Sequence, residues 1–157
     1  MPVYVCSLIR NEPQAIPSGG YHVVRFPFGT AESYDAHGMH QVAQPDGYEI
    51  TDWRKDDRSG LIWPSADGWA DLYGLMYWES GDYTEVRSRF VRDPLDLSTG
   101  YDSTCTEDDA RTPGGQYRAK HWGLFSHVGT PLALLVQHNA PGSLALTHAQ
   151  FKVAIHI

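Results

Sequence analysis

The stretch GWADLYGLMYW, residues 68–78, decides the fold of this chain. Successive side chains of a β-strand point to opposite faces of its sheet. Alternation therefore places Tyr73 and Tyr77 on one face, and the other face carries Leu72, Met76 and Trp78. Both faces are apolar, whereas an antiparallel strand with one solvated face carries polar residues there. The strand must be covered on both sides.

One cover is the core of the domain, which we expect to hold Leu72, Met76 and Trp78. No helical pattern elsewhere supplies a second cover, so a second copy of the chain is the remaining candidate. Tyrosine suits such a contact, because its ring buries apolar area while its hydroxyl finds a partner. We predict a subunit interface at Tyr73, Leu75 and Tyr77. The exchanged assignment of the two faces stays open.

The stretch LALTHAQFKVAIHI, residues 144–157, also alternates. One face is apolar and is expected to fill the core; it carries Ala149, Phe151, Val153, Ile155 and Ile157. The other face carries no acidic residue, although the chain has 19. It is either solvated or lies along the axis of an oligomer. We add His148, Gln150 and His156 from this face to the candidate interface.

Strand-like runs recur along the whole chain, separated by turns rich in its 15 glycines and 10 prolines. Eight or nine such runs, among them GLIWP and KHWGLFSHV, predict an all-β sandwich or barrel. The length of 157 residues fits a single domain, 1–157. Residues 96–118 are polar and acidic, and we expect a long loop insertion there, either functional or merely a surface feature.

The composition excludes several partners. A net charge of -7 argues against nucleic acid and anionic membranes, because phosphate binding needs clustered Lys and Arg. No segment approaches the roughly 18 apolar residues of a membrane span, and the opening residues lack the pattern of a signal peptide. Sequence does not decide whether Cys6 and Cys105 pair; a reducing cytoplasm favours two free thiols.

Residue patterns typical of catalysis do not occur. His37 and His40 lie close together in HGMH, but a zinc site needs more ligands than this pair supplies. The chain contains no Gly-x-Ser-x-Gly elbow, no phosphate-binding Gly-x-x-x-x-Gly-Lys loop and no His-x-His motif. We therefore expect a protein that is not an enzyme, with no catalytic residue, cofactor or metal.

Acidic residues next to aromatic ones mark candidate surface contacts. The segments AESYD and ESGDY suit sugar hydroxyls, since carboxylates accept hydrogen bonds and rings stack on sugar faces. The charged segment DWRKDDR flanks a tryptophan and is either a contact or a solvated loop. The surface-contact candidates are Tyr34, Asp35, Trp53 and Tyr83.

Four segments resemble the jelly-roll trimers of the tumour-necrosis-factor and complement globular-head superfamily, and more closely its small versions in bacteriophage virion proteins. They are AIPSGGYHVVRF; ESYDAHGMH; IWPSADGWADLYGLMYW followed by Glu85-Val86-Arg87; and VGTPLALLVQHNAPGSLALTHAQFKVAIHI. ESYDAHGMH is similar to a Tyr-Asp-x-x-Gly-Met-His segment of the phage proteins. Ala70 and Thr130-Pro131 depart from the family, which often has Tyr and Asp there.

The resemblance implies a ten-stranded antiparallel sandwich, a threefold homotrimer and a binding role without chemistry. It implies a structural protein of a phage virion, made in the bacterial cytoplasm, which either decorates the capsid or is a minor tail protein in contact with the host surface. The partners it implies are further copies of the chain and other virion proteins, with a host-surface glycan as an additional candidate. The alternative is a free carbohydrate-binding jelly-roll module.

Overall fold

A computed structural model describes residues 2–98, 102–110 and 115–157, which form two antiparallel sheets packed face to face. The predicted all-β sandwich is therefore confirmed. The strands are β1 (Val3–Arg10), β2 (Gln14–Ile16), β3 (His22–Val23), β4 (Gly68–Trp78), β5 (Glu85–Arg92), β6 (Asp102–Ala110), β7 (Gln116–Ser126), β8 (Leu132–His138) and β9 (Leu144–His156). The first sheet has the order β1-β9-β4-β7, with β2 also beside β9, and the second has the order β3-β8-β5-β6.

The described residues form nine strands, one fewer than the resemblance implies. The run GLIWP was expected to be a strand, and this was wrong. Ile62 makes an isolated bridge with Leu132, while the amide of Trp63 donates to the carbonyl of Met39. Neighbouring residues of the run thus bond to different parts of the chain, so no ladder forms.

Strand β9 lies in the middle of the first sheet, between β1 and β4. Phe151 is the ladder partner of Leu8 on β1 and of Gly74 on β4. The predicted core residues Ala149, Phe151, Val153 and Ile155 are all fully buried. The expectation for Ile157 was wrong: the strand ends one residue earlier, and the Ile157 side chain is exposed.

Strand β4 has the predicted faces. Leu72, Met76 and Trp78 are buried between the two sheets, while Tyr73 and Tyr77 lie on the outer face of the first sheet. The exchanged assignment of these faces is therefore wrong.

The second sheet is covered on both sides. Leu134 and Val136 of β8 point into the core between the sheets, while Ala133 and Leu135 pack outward against the segment that contains Leu61 and Trp63. This chain segment shields the outer face of the second sheet. The outer face of the first sheet instead stays open to solvent at its aromatic residues.

The region 96–118 was expected to be a loop insertion. The structure instead shows β6 and the start of β7 there, so the prediction was wrong for the described part of the region. Residues 99–101 and 111–114 lie outside the described residues. Strand β6 pairs with β5, and its acidic side chains have basic partners on β5 and on β7 of the other sheet. Lys120 Nζ lies 3.6 Å from Glu107, Arg118 Nε lies 3.9 Å from Asp109, and Arg87 Nε lies 3.0 Å from Asp108. These ion pairs allow a polar segment to be a strand.

Both cysteines are free, as the reducing-compartment argument favoured. Cys6 is buried in the core, and this burial raises the pKa of its thiol. Cys105 is half-buried on β6. No helix among the described residues is long and apolar enough to cross a membrane.

The ion pair between Glu107 and Lys120 yields a stability prediction. The Lys120 side chain is fully buried, and its Nζ makes no hydrogen bond to any residue that the structure describes, so Glu107→Gln removes the carboxylate beside a buried ammonium. We expect the free energy of unfolding to fall by about 1–3 kcal/mol, measured by urea denaturation. The neighbouring Asp108→Asn disrupts a more exposed pair and should cost less than about 1 kcal/mol. Equal losses in the two variants would contradict this account.

Candidate functional site

The outer face of the first sheet collects all six residues predicted for a subunit interface. They are Tyr73, Leu75 and Tyr77 on β4 and His148, Gln150 and His156 on β9. The ladder pairs Tyr77 with His148 and Leu75 with Gln150, so these side chains are cross-strand neighbours. Their placement on one face is thus as predicted, and their role in assembly stays a prediction. We call this surface the aromatic face.

Strand β7 adds residues to the aromatic face that the sequence analysis missed. Its outward positions carry Tyr117, His121 and Phe125. The His121 ring stacks on Tyr73 with 4.7 Å between ring centroids, and the Tyr117 ring lies 4.3 Å from Tyr77. The alternation within KHWGLFSHV would have identified His121 and Phe125 once β7 was placed beside β4.

Much of the aromatic surface is in contact with solvent in the isolated chain. Tyr117 is 62% exposed, and Trp69 at the other end of the face is 52% exposed. Between them lies an open cavity of about 490 Å³, lined by Tyr73, Leu75, His121, Gln150 and Lys152 among others. Contiguous apolar surface of this kind marks interaction sites in soluble proteins.

The aromatic face also carries charges of both signs. Asp71 lies between two histidines: its carboxylate oxygens are 3.4 Å from His121 Nε2 and 3.0 Å from His156 Nε2. Lys152, the ladder partner of Tyr73, has no carboxylate within ion-pair distance among the described residues. The face thus offers a carboxylate and an ammonium to a partner.

Gly123 shapes one end of the aromatic face. A Cβ atom at this position would lie 2.4 Å from Cζ2 of Trp69, closer than real Cβ contacts reach. The missing side chain therefore lets the Trp69 ring lie across β7.

Two of the predicted surface contacts hold local structure. Tyr34 is exposed, and its backbone N–H and carbonyl bond to Ser7 on β1, which extends the edge of the first sheet. The Asp35 carboxylate accepts hydrogen bonds at 2.8 Å from the backbone amides of Met39 and His40. Asp35 thus fixes the turn within ESYDAHGMH.

Tyr83 was predicted as a surface contact, and this was wrong. Its side chain is only 1% exposed, and its hydroxyl donates to the carbonyl of Glu79 at 3.0 Å. A buried ring with its hydroxyl satisfied is a core residue.

The histidines of HGMH have structural contacts. His40 is buried, with Nδ1 2.7 Å from a Glu32 carboxylate oxygen and Nε2 2.7 Å from the carbonyl of Ser59. The His37 ring stacks on Tyr4 at 4.0 Å. Within the part of the chain that the structure describes, no three His, Cys, Asp or Glu side chains are grouped so as to hold a metal ion.

Trp53 lies half-buried between two arginines. The guanidinium carbons of Arg10 and Arg54 lie 4.9 and 4.7 Å from its ring centre, which is cation–π distance. Arg54 also donates two hydrogen bonds, at 2.6 and 2.9 Å, to the carboxylate of Glu12. This pairing raises the pKa of Arg54 and lowers the pKa of Glu12.

Solved structures share the fold at low sequence identity. Eiger, a tumour necrosis factor from S. frugiperda, aligns with a TM-score of 0.62 and 14% identity over 100% of this chain and 94% of its own. The globular domain of zebrafish complement 1qA aligns at 0.59 and 14% identity, over 96% of this chain and 94% of its own. Murine APRIL at pH 5.0 aligns with a TM-score of 0.61 and 9% identity, over 99% of this chain and 100% of its own.

These alignments confirm the predicted jelly roll of the tumour-necrosis-factor and complement globular-head type. At such identities they show the fold alone. No protein-family model and no curated protein sequence matches the chain.

The close approach of Trp69 to Gly123 is testable. Gly123→Ala should lower the free energy of unfolding by about 1–2 kcal/mol, because the added methyl group displaces the indole from β7. Gly142→Ala is the matched control, since a Cβ there meets nothing within 4 Å, and it should change stability by less than about 0.5 kcal/mol. Urea denaturation of both variants decides; an unchanged Gly123→Ala protein would contradict the contact.

Proposed function

We propose that the protein is a non-enzymatic binding module that works as a homotrimer on the surface of a bacteriophage particle, as a capsid decoration or a minor tail protein. The observation that carries the proposal is the open aromatic face. The second sheet has its outer side covered by the chain itself, whereas the first sheet exposes aromatic side chains from β4 and β7. A protein that leaves such a face open in isolation is expected to cover it in an assembly.

The chemistry of the face supports a second copy as its cover. Tyrosine and tryptophan are enriched at protein interfaces, and the aromatic face carries Trp69, Tyr73 and Tyr117 among its rings. It also carries the charged side chains of Asp71 and Lys152, which can pair between copies. The number of copies rests on the resemblance to the tumour-necrosis-factor superfamily, which implies a trimer.

Placement on a phage particle is supported by the ESYDAHGMH segment. This is the part of the chain most similar to phage virion proteins, and Asp35 and His40 within it have defined structural contacts. A threefold module suits the threefold and quasi-threefold positions of a capsid. The same module also suits a tail that meets the host surface.

The mass in solution tests the assembly. We expect three times the 17.6 kDa of one chain by light scattering at micromolar concentration. Tyr77→Asp should lower that mass, because it places a charge among the rings of the face. Its circular dichroism spectrum should remain that of the folded protein. Val42→Asp is the control, since this valine is exposed in the connection from β3 to β4, off the strands that form the face, and it should keep the trimer. A wild-type monomer would contradict the proposal.

The copy number in purified particles tests the placement. Quantitative mass spectrometry should find hundreds of copies per particle for a capsid decoration and only a few for a minor tail protein. Absence of the protein from the particles would contradict the virion role. Binding of the isolated protein to polysaccharide would then favour the free carbohydrate-binding module.

A further inference from the structure

A groove runs across the loops between the end of β1 and the long connection from β3 to β4, apart from the centre of the aromatic face. We propose that this groove is a binding site for a neutral oligosaccharide. The inference rests on the proposed function in one respect, since it names the chemical class of partner that such a surface module would contact.

The groove comprises three adjoining cavities of about 370, 220 and 580 Å³. The first and second cavities share Pro27, Ala31 and Trp53 in their walls. The second and third share Phe28 and Val42. The cavities thus follow one another in a row, which suits a chain of several units.

The middle of the groove is apolar. Its lining residues include Pro27, Phe28, Ala31 and Val42. Val42 is 38% exposed although its side chain is apolar. The His40 ring holds the Phe28 ring by stacking at 4.1 Å. A sugar ring presents an apolar face of C–H groups, which fits a floor of this kind, whereas its rim of hydroxyls needs polar groups at the sides.

The two ends of the groove are polar. At one end the Arg54 guanidinium and the Glu12 carboxylate lie side by side, which offers donors and acceptors to adjacent hydroxyls. Arg54 is held by this pairing and by Trp53, so little freedom is lost on binding. At the other end lie Gln41 and Glu49.

The charges of the groove favour a neutral ligand. Arg54 is already paired with Glu12, and buried Arg10 donates to the carbonyls of Glu12, Pro13 and Arg25. Burial lowers the pKa of Arg10 to about 10, which still leaves it charged at neutral pH. Both arginines thus have protein partners, while Glu49 adds negative charge at the far end. A sulfated or phosphorylated chain would find no unpaired arginine among these lining residues.

The test uses a panel of immobilised oligosaccharides built from neutral hexose and N-acetylhexosamine units, with sulfated versions and extended peptides alongside. We expect binding to members of the neutral set. Val42→Arg should weaken that binding at least tenfold, because it places a long charged side chain across the middle of the groove. Val128→Arg is the matched control, since this valine is 60% exposed in the turn between β7 and β8, and it should bind as the wild type does.

Three outcomes would overturn the proposal: no binding to any neutral oligosaccharide, binding of sulfated chains or peptides alone, or equal binding by the two variants. Circular dichroism confirms that both variants are folded. The solution mass of the same samples separates this inference from the proposed function. A trimer that binds no sugar would contradict only the proposed binding site in the groove. A monomer that binds sugar through the groove would contradict only the proposed homotrimer.

Discussion

The pairing of β9 with β1 on one side and β4 on the other is the interaction on which the rest of the structure depends. Because side chains alternate along a strand, burying Phe151, Val153 and Ile155 of β9 fixes which residues point outward. The same register sets Tyr77 beside His148 and Leu75 beside Gln150. The aromatic face is therefore a direct result of how the core is filled, and a one-residue slip of β9 would turn its apolar side chains toward solvent.

The elements that sequence predicts well are those whose burial repeats every second residue. The alternation of apolar residues along β4 and β9 predicts which face of each strand is buried, and the structure confirms both assignments except at Ile157. Strand β6 was missed because its inward residues Glu107 and Asp109 are acidic, and their partners Lys120 and Arg118 belong to another strand. Tyr83 was misplaced for a related reason, since only the folded chain shows the carbonyl that satisfies its hydroxyl.

The aromatic face and the groove are built in different ways. Regular strands form the face, and alternation predicted six of its residues, although it left out the contribution of β7. Irregular segments between residues 27 and 54 form most of the groove, where no periodic pattern exists. Of its lining residues, Trp53 was predicted as a surface contact and His40 was considered only as a metal ligand. The two surfaces meet where His148 Nδ1 lies 3.0 Å from Oδ1 of Asn11, a residue of the groove wall.

The central position of β9 also governs how the protein is made. Val3 pairs with His156 and Arg10 with Ala149, so the first sheet joins strands from opposite ends of the sequence. Such long-range pairing slows folding, because a large loop must close before the contacts form. During translation β4 leaves the ribosome well before β9. Both apolar faces of β4 are therefore exposed until the strands that pack against them have been made. We therefore expect the nascent chain to be prone to aggregation until β9 has been made and has paired with β4.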